Sequence, residues 1–131
     1  MGLRITGGYS MSKLGWPDTA NTGTHHWWWQ RATAICLIPL SIWFVISVLA
    51  HMNDDHTAAV EWIKSIPVTI LLLSFMVTVF YHARLGLQVI AEDYVHDTST
   101  LRLILFFINA SMILGGLASV SAIAVISFII P

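Results

Sequence analysis

The sequence predicts an all-α integral membrane protein with three transmembrane helices, and its composition and charge placement carry that reading. Of 131 residues, 56% are hydrophobic and only 10% charged, whereas a soluble domain carries about a quarter charged residues. The charges are confined almost entirely to the gaps between three long apolar runs, at about residues 32–50, 66–91 and 103–130. Crossing about 30 Å of hydrocarbon takes roughly 20 helical residues, so each run is long enough to span. A β-barrel would instead need many short alternating segments.

Taken in order, residues 1–31 read as a cytoplasmic arm. Residues 1–24 are rich in Gly, Ser and Thr and lack the apolar core of a secretory signal, so an irregular segment is expected there. The stretch His25-His26-Trp27-Trp28-Trp29-Gln30-Arg31 precedes the first run. Three consecutive indoles suit the bilayer interface, where an apolar ring with one N–H donor is most at home. Pro39 lies inside the first run and predicts a kink that membrane helices tolerate. Pro67 falls in the first turn of the second, where its missing N–H costs little. Gly115-Gly116 in the third would let a neighbouring helix approach closely.

The positions of the cations predict orientation. Arg4, Lys13 and Arg31 precede the first span, while the first loop carries Asp54, Asp55 and Glu61 against Lys64. Arg84 and Arg102 flank the second loop. The positive-inside rule then places the N-terminus and second loop in the cytoplasm. A net charge of -1 with no basic patch gives no reason to expect nucleic-acid binding. The lone Cys36, inside an apolar run, excludes a disulfide within the chain and reads as a small apolar filler. Residues 1–131 form a single membrane-anchor domain, and three helices enclose so little that a hetero-oligomeric bundle is expected.

His82 is the most informative residue. It sits roughly 12 Å of helix rise from the inner end of its span, where an ionisable group is costly unless partnered. Three uses remain open: haem axial ligation, an interhelical hydrogen bond, or proton transfer. For haem, the chain offers only one good ligand, so the second would come from another subunit. Gly86, one turn on, leaves room either for a flat ring or for close helix packing. Arg84 points to another face and reads as snorkelling to the interface or pairing with a propionate. Glu92-Asp93-Tyr94 closes the span. Tyr94 is either an interfacial anchor or a hydroxyl donor to a quinone carbonyl, with Asp93 beside it able to hold an arginine or deliver protons. Arg31 is either a topology residue or a planar clamp for a propionate or phosphate. Asn109 and the serines of the third span are expected to bond between helices.

HHWWWQRATA before the first span and YHARLGLQVIAEDYV across the second resemble the small hydrophobic, cytochrome b-type anchor of succinate dehydrogenase, the respiratory complex II. The alphaproteobacterial and mitochondrial-like type is the nearest. The specific motifs are Arg-Ala-Thr-Ala opening span one and the His…Gly…Asp-Tyr series of His82, Gly86, Asp93 and Tyr94. The resemblance implies that His82 is an iron ligand of haem b, opposite a ligand from a second, larger anchor subunit. It implies that Tyr94 bonds a ubiquinone carbonyl, that Asp93 stands beside that site, and that Arg31 lies near the haem propionates. Arg84 departs from the family pattern, where a neutral residue is usual. It further implies an iron–sulfur subunit and a flavoprotein subunit as partners, a bacterial inner membrane location, and a role in electron transport and the tricarboxylic acid cycle. The chain itself would be a non-catalytic subunit with no complete active site.

Two other readings stay open. One is the cytochrome b anchor of a fumarate reductase or another quinone-linked dehydrogenase. The other, from a different class, is a small proton-conducting or scaffold membrane protein in which His82 and Asp93 relay protons.

Overall fold

A computed structural model describes residues 19–131, with side chains from residue 23 onward. Every element among them is helical: α1 Thr19–His51, α2 His56–Lys64, α3 Ile66–Tyr94 and α4 Thr98–Phe128. α1, α3 and α4 are each long and apolar enough to cross a membrane. In hydrocarbon a backbone amide has no water to bond, so a long apolar segment satisfies its own N–H and C=O groups as helix. The hydroxyls follow the same rule. Ser74 donates to the Ile70 carbonyl, Thr78 to that of Ser74 and Ser119 to that of Gly115, each four residues back.

The helix reaches back into the segment that the sequence suggested was irregular. α1 starts at Thr19 and takes in the whole His/Trp segment before entering the span. Once a long helix is nucleated, each added residue contributes another backbone bond, so it propagates into sequence of modest propensity. Residues 1–18, with Arg4 and Lys13, lie outside the described residues. α3 and α4 likewise run past their apolar runs, to Tyr94 and from Thr98. Pro39 falls inside α1, which remains one helix.

α2 is the element the apolar pattern did not announce. Asp55 caps its start by accepting from the Ala58 N–H at 2.8 Å. Val60 and Ile63 turn inward while Glu61 stays in solvent, so this short helix lies amphipathically over one end of the bundle. Ser65 ends α2 and begins α3, with extended backbone and its hydroxyl donating to the Trp62 carbonyl. At α4, Asp97 takes the capping role, accepting from both the Thr100 N–H and its hydroxyl.

α3 is the central helix, with α1 and α4 both packed against it in antiparallel directions. Phe44 and Phe75 stack with ring centroids 4.6 Å apart across α1 and α3. Thr69 and Ser127 hydroxyls pair at 3.1 Å across α3 and α4. Lys64 donates to the Ile130 carbonyl, and His51 stacks on Trp62, so α2 is fastened to both outer helices. The intramolecular core is small: Leu72, Leu85, Ala91 and Ile123 are its only buried hydrophobic residues among those described. Along α1, Ile35, Ile38, Ile42, Val45, Ile46 and Leu49 are all exposed. An apolar surface of this extent belongs against lipid or partner helices.

Candidate functional site

The seam between α1 and α3 brings polar side chains together within the apolar spans. Thr33 of α1 is buried, 9% exposed, and its Oγ1 lies 2.9 Å from Nδ1 of His82 on α3. The same Oγ1 lies 2.7 Å from the Trp29 carbonyl and 3.1 Å from that of Gln30. A hydroxyl has one proton to donate. With that proton directed to the carbonyls behind it, Thr33 presents a lone pair to His82, and Nδ1 of His82 carries the hydrogen. Nε2 is then the unprotonated nitrogen, and it has no hydrogen-bond partner among the described residues. A neutral imidazole with Nδ1–H fixed and Nε2 bare is the arrangement a metal-ligating histidine adopts.

Around this pair the seam continues as a strip. His26, Gln30 and Thr33 fall on one face of α1, at helical spacing. A Cβ added at Gly86 would meet only the Gln30 amide nitrogen, at an ordinary 3.5 Å, so the packing of α1 does not itself require a glycine there. His26 Nε2 and Gln30 Oε1 are buried without a hydrogen-bond partner among the described residues. Buried polar atoms are normally satisfied, so these two call for water or a group beyond the described residues. Trp29 meets the neighbouring Tyr81 ring edge-on, with centroids 6.2 Å apart.

The other sequence candidates lie elsewhere. Arg31 is exposed, its guanidinium 4.6 Å over the Trp27 ring. At about 100° per residue it is roughly 200° around α1 from Thr33, so it faces away from the His82 seam. Asp93 and Tyr94 are exposed at the end of α3, Tyr94 by 80%. They stand about 16 to 18 Å of helix rise from His82. The sequence candidates therefore fall into two separate groups, a half-buried imidazole and an open phenol–carboxylate pair. No group of three or more His, Cys, Asp or Glu side chains among the described residues forms a metal cage.

Thr33 is the functional candidate that sequence reasoning passed over. Its signal was present as the hydroxyl inside Arg-Ala-Thr-Ala, at the first apolar turn. Arg84 is clearer in three dimensions as well. It donates through Nε to the Asn109 side-chain oxygen of α4, so Asn109 makes the interhelical bond expected of it.

Comparison with known proteins agrees with this architecture. The family described as succinate dehydrogenase/fumarate reductase transmembrane subunit matches residues 15–129. A succinate dehydrogenase hydrophobic membrane anchor subunit of Rickettsia bellii is 41% identical over 78 residues, covering 59% of this chain and 62% of the relative. Its counterpart in Rickettsia typhi is 29% identical over 107 residues, 81% of this chain and 85% of the relative. A succinate dehydrogenase membrane anchor subunit of Reclinomonas americana is 30% identical over 91 residues, 67% and 76% of the two chains. The matched segment thus spans under two thirds of the Rickettsia bellii relative. No solved structure matches significantly. Three apolar helices, with a family match over nearly the whole chain, make this protein a member of the succinate dehydrogenase/fumarate reductase transmembrane subunit family.

Proposed function

We propose that this chain is the small membrane anchor of a succinate:ubiquinone oxidoreductase. In this reading it docks an iron–sulfur and a flavoprotein subunit to the membrane and pairs with a second, cytochrome b-type anchor. The observation that carries the proposal is the Thr33–His82 pair. A histidine within a membrane span is costly unless partnered, and this one is partnered at only one nitrogen. With the hydrogen fixed on Nδ1, Nε2 would be free to hold the iron of a haem b, and a second ligand would have to come from the partner anchor. When bound, the haem supplies a one-electron redox centre. Thr33 and His82 supply its orientation and the basicity of its ligand. Arg31, a permanent cation at the membrane edge, would reach the haem propionates only by leaving the Trp27 ring and swinging round α1.

The second group is assigned to ubiquinone. Tyr94 offers a neutral hydroxyl donor at the bilayer boundary, where a quinone ring enters from the apolar phase. That donor stabilises negative charge growing on a carbonyl oxygen during reduction. Asp93, one residue away, orients a partner's arginine or passes a proton from solvent. A direct proton relay between Asp93 and His82 is disfavoured by the roughly 16 Å of helix rise between them. The proposed orientation puts the N-terminus and the Tyr94 end at the cytoplasmic face, where soluble subunits dock.

Deleting the chain tests the anchor role. Membranes should lose succinate-driven ubiquinone reduction, and the flavoprotein should move to the soluble fraction with its dye-linked succinate oxidation intact. Flavoprotein that stays on the membrane and still reduces ubiquinone would overturn the assignment.

A further inference from the structure

In the last turn of α1, Val48, Leu49 and Ala50 are exposed, as is Met52 just beyond it, and His51 is the side chain that turns back onto the fold. Its ring lies on Trp62 of α2, with centroids 4.6 Å apart and planes 28° from parallel. Nδ1 of the same ring stands 2.6 Å from Asp54 Oδ2. Asp54 is brought there by the turn that leaves α1, its N–H donating to the His51 carbonyl at 3.1 Å. One imidazole thus meets a carboxylate at its edge and an indole on its face, at the C-terminal end of a helix.

An imidazolium in this place is attracted by all three: by the carboxylate charge, by the indole face and by the carbonyl dipoles of the helix end. A neutral ring keeps the stack and one N–H bond and loses the ionic part of each contact. The His51 and Asp54 side chains are 34% and 32% exposed, so protons reach the pair from solvent. The other charged or titratable groups of this end are engaged elsewhere. Asp55 accepts from the Ala58 N–H, Lys64 donates to the Ile130 carbonyl, and His56 and Glu61 line a hollow with Lys64 against the end of α4. Among the described residues, Asp54 is the only charged group within ion-pair distance of His51.

We propose that His51 is a proton-operated clasp between α1 and α2, at the end of the bundle opposite Tyr94. Protonated, it holds the last turn of α1 against α2; deprotonated, it lets that turn fray. Because the contacts stabilise the charged ring, the clasp is tightest at acid pH and weakens as pH rises through the histidine range. Opening stays local, since Phe44 and Phe75 hold α1 to α3 two turns deeper and Lys64 holds α2 to the end of α4. In the proposed orientation this end faces the outer aqueous phase, though the contact itself does not rest on that orientation.

Hydrogen–deuterium exchange of the purified assembly tests this, read by mass spectrometry at about pH 5.5 and about pH 8 and corrected for intrinsic exchange. In the wild type, residues 48–54 should exchange roughly three- to tenfold faster at the higher pH. His51→Phe keeps a ring on Trp62 without the charge, so its exchange should be fast and equal at both pH values. Asp54→Asn keeps the shape without the ion pair and should exchange faster than the wild type at the lower pH. His56→Gln, which alters the neighbouring histidine outside the clasp, should behave as the wild type. Equal wild-type exchange at both pH values would overturn the proposal, as would a pH dependence that survives in His51→Phe or vanishes in His56→Gln. Should His51→Phe fail to assemble, Asp54→Asn decides, and wild-type exchange in that variant at the lower pH would equally overturn it.

Discussion

Nδ1 of His82 and Oγ1 of Thr33 stand 2.9 Å apart across the α1–α3 seam, and the Thr33 hydroxyl is also 2.7 Å from the carbonyl of Trp29. The threonine connects the backbone of one span to the imidazole of the next, and in doing so selects which ring nitrogen carries the hydrogen. Thr33→Val keeps the shape and removes that acceptor. A lost hydrogen bond of about 1 kcal/mol, felt differently by the two oxidation states of a bound haem, shifts its midpoint potential by up to roughly 40 mV. Redox titration of the purified complex should show that shift, and Thr33→Ser should restore the wild-type value. An unchanged potential in Thr33→Val would reduce Thr33 to a packing residue.

Tyr94→Phe keeps the ring and deletes the donor. If the hydroxyl serves ubiquinone, losing a bond worth about 1 to 3 kcal/mol slows quinone reduction roughly 5- to 150-fold. Succinate oxidation by an artificial acceptor at the soluble subunits should stay near normal. A wild-type rate with ubiquinone would make Tyr94 an interfacial anchor only.

Gly115 and Gly116 are not equivalent. A methyl at Gly115 would stand 2.7 Å from Phe80 Cε1, whereas one at Gly116 meets Phe80 at an ordinary 3.6 Å. Gly115→Ala forces the Phe80 ring to swing and should cost about 1 to 3 kcal/mol of α3–α4 packing. Gly116→Ala should change stability little. Thermal unfolding of the two variants in the same detergent compares them directly.

Asp97, in solvent at the start of α4, provides a pH-dependent cap. The hydrogen bonds from the Thr100 hydroxyl and N–H hold its carboxyl below the usual 3.8. Because the folded value is the lowered one, the contribution is present above about pH 3.8 and fades as pH falls through the folded pKa. Thr100→Val removes the larger of those bonds, so the Asp97 titration followed by NMR should move upward toward its ordinary value.

The three spans were legible because lipid makes hydropathy nearly sufficient: residues 32–50, 66–91 and 103–130 all fall within single helices apart from the last two residues of the third. What lay beyond the apolar runs was not legible. The first turns of α1 form by propagation from a helix already fixed, and α2 depends on the Asp55 cap and on a surface supplied by the bundle. For the candidate site, His82 stood out because an imidazole in hydrocarbon is conspicuous. Thr33 did not, since a hydroxyl in a membrane helix is commonplace until the partner helix is in place, whereas Asn109 was expected to bond between helices and does so with Arg84. Gly86 was evenly divided between a ring notch and helix packing, and its ordinary 3.5 Å approach to Gln30 favours neither.

The central claim is that His82 ligates a haem b through Nε2, and a reduced-minus-oxidised absorption spectrum of the purified complex tests it most directly. The wild type should show a low-spin b-type spectrum, and His82→Ala should abolish or shift it while the complex retains all its subunits by mass analysis. A wild-type low-spin spectrum from a fully assembled His82→Ala complex would contradict the account.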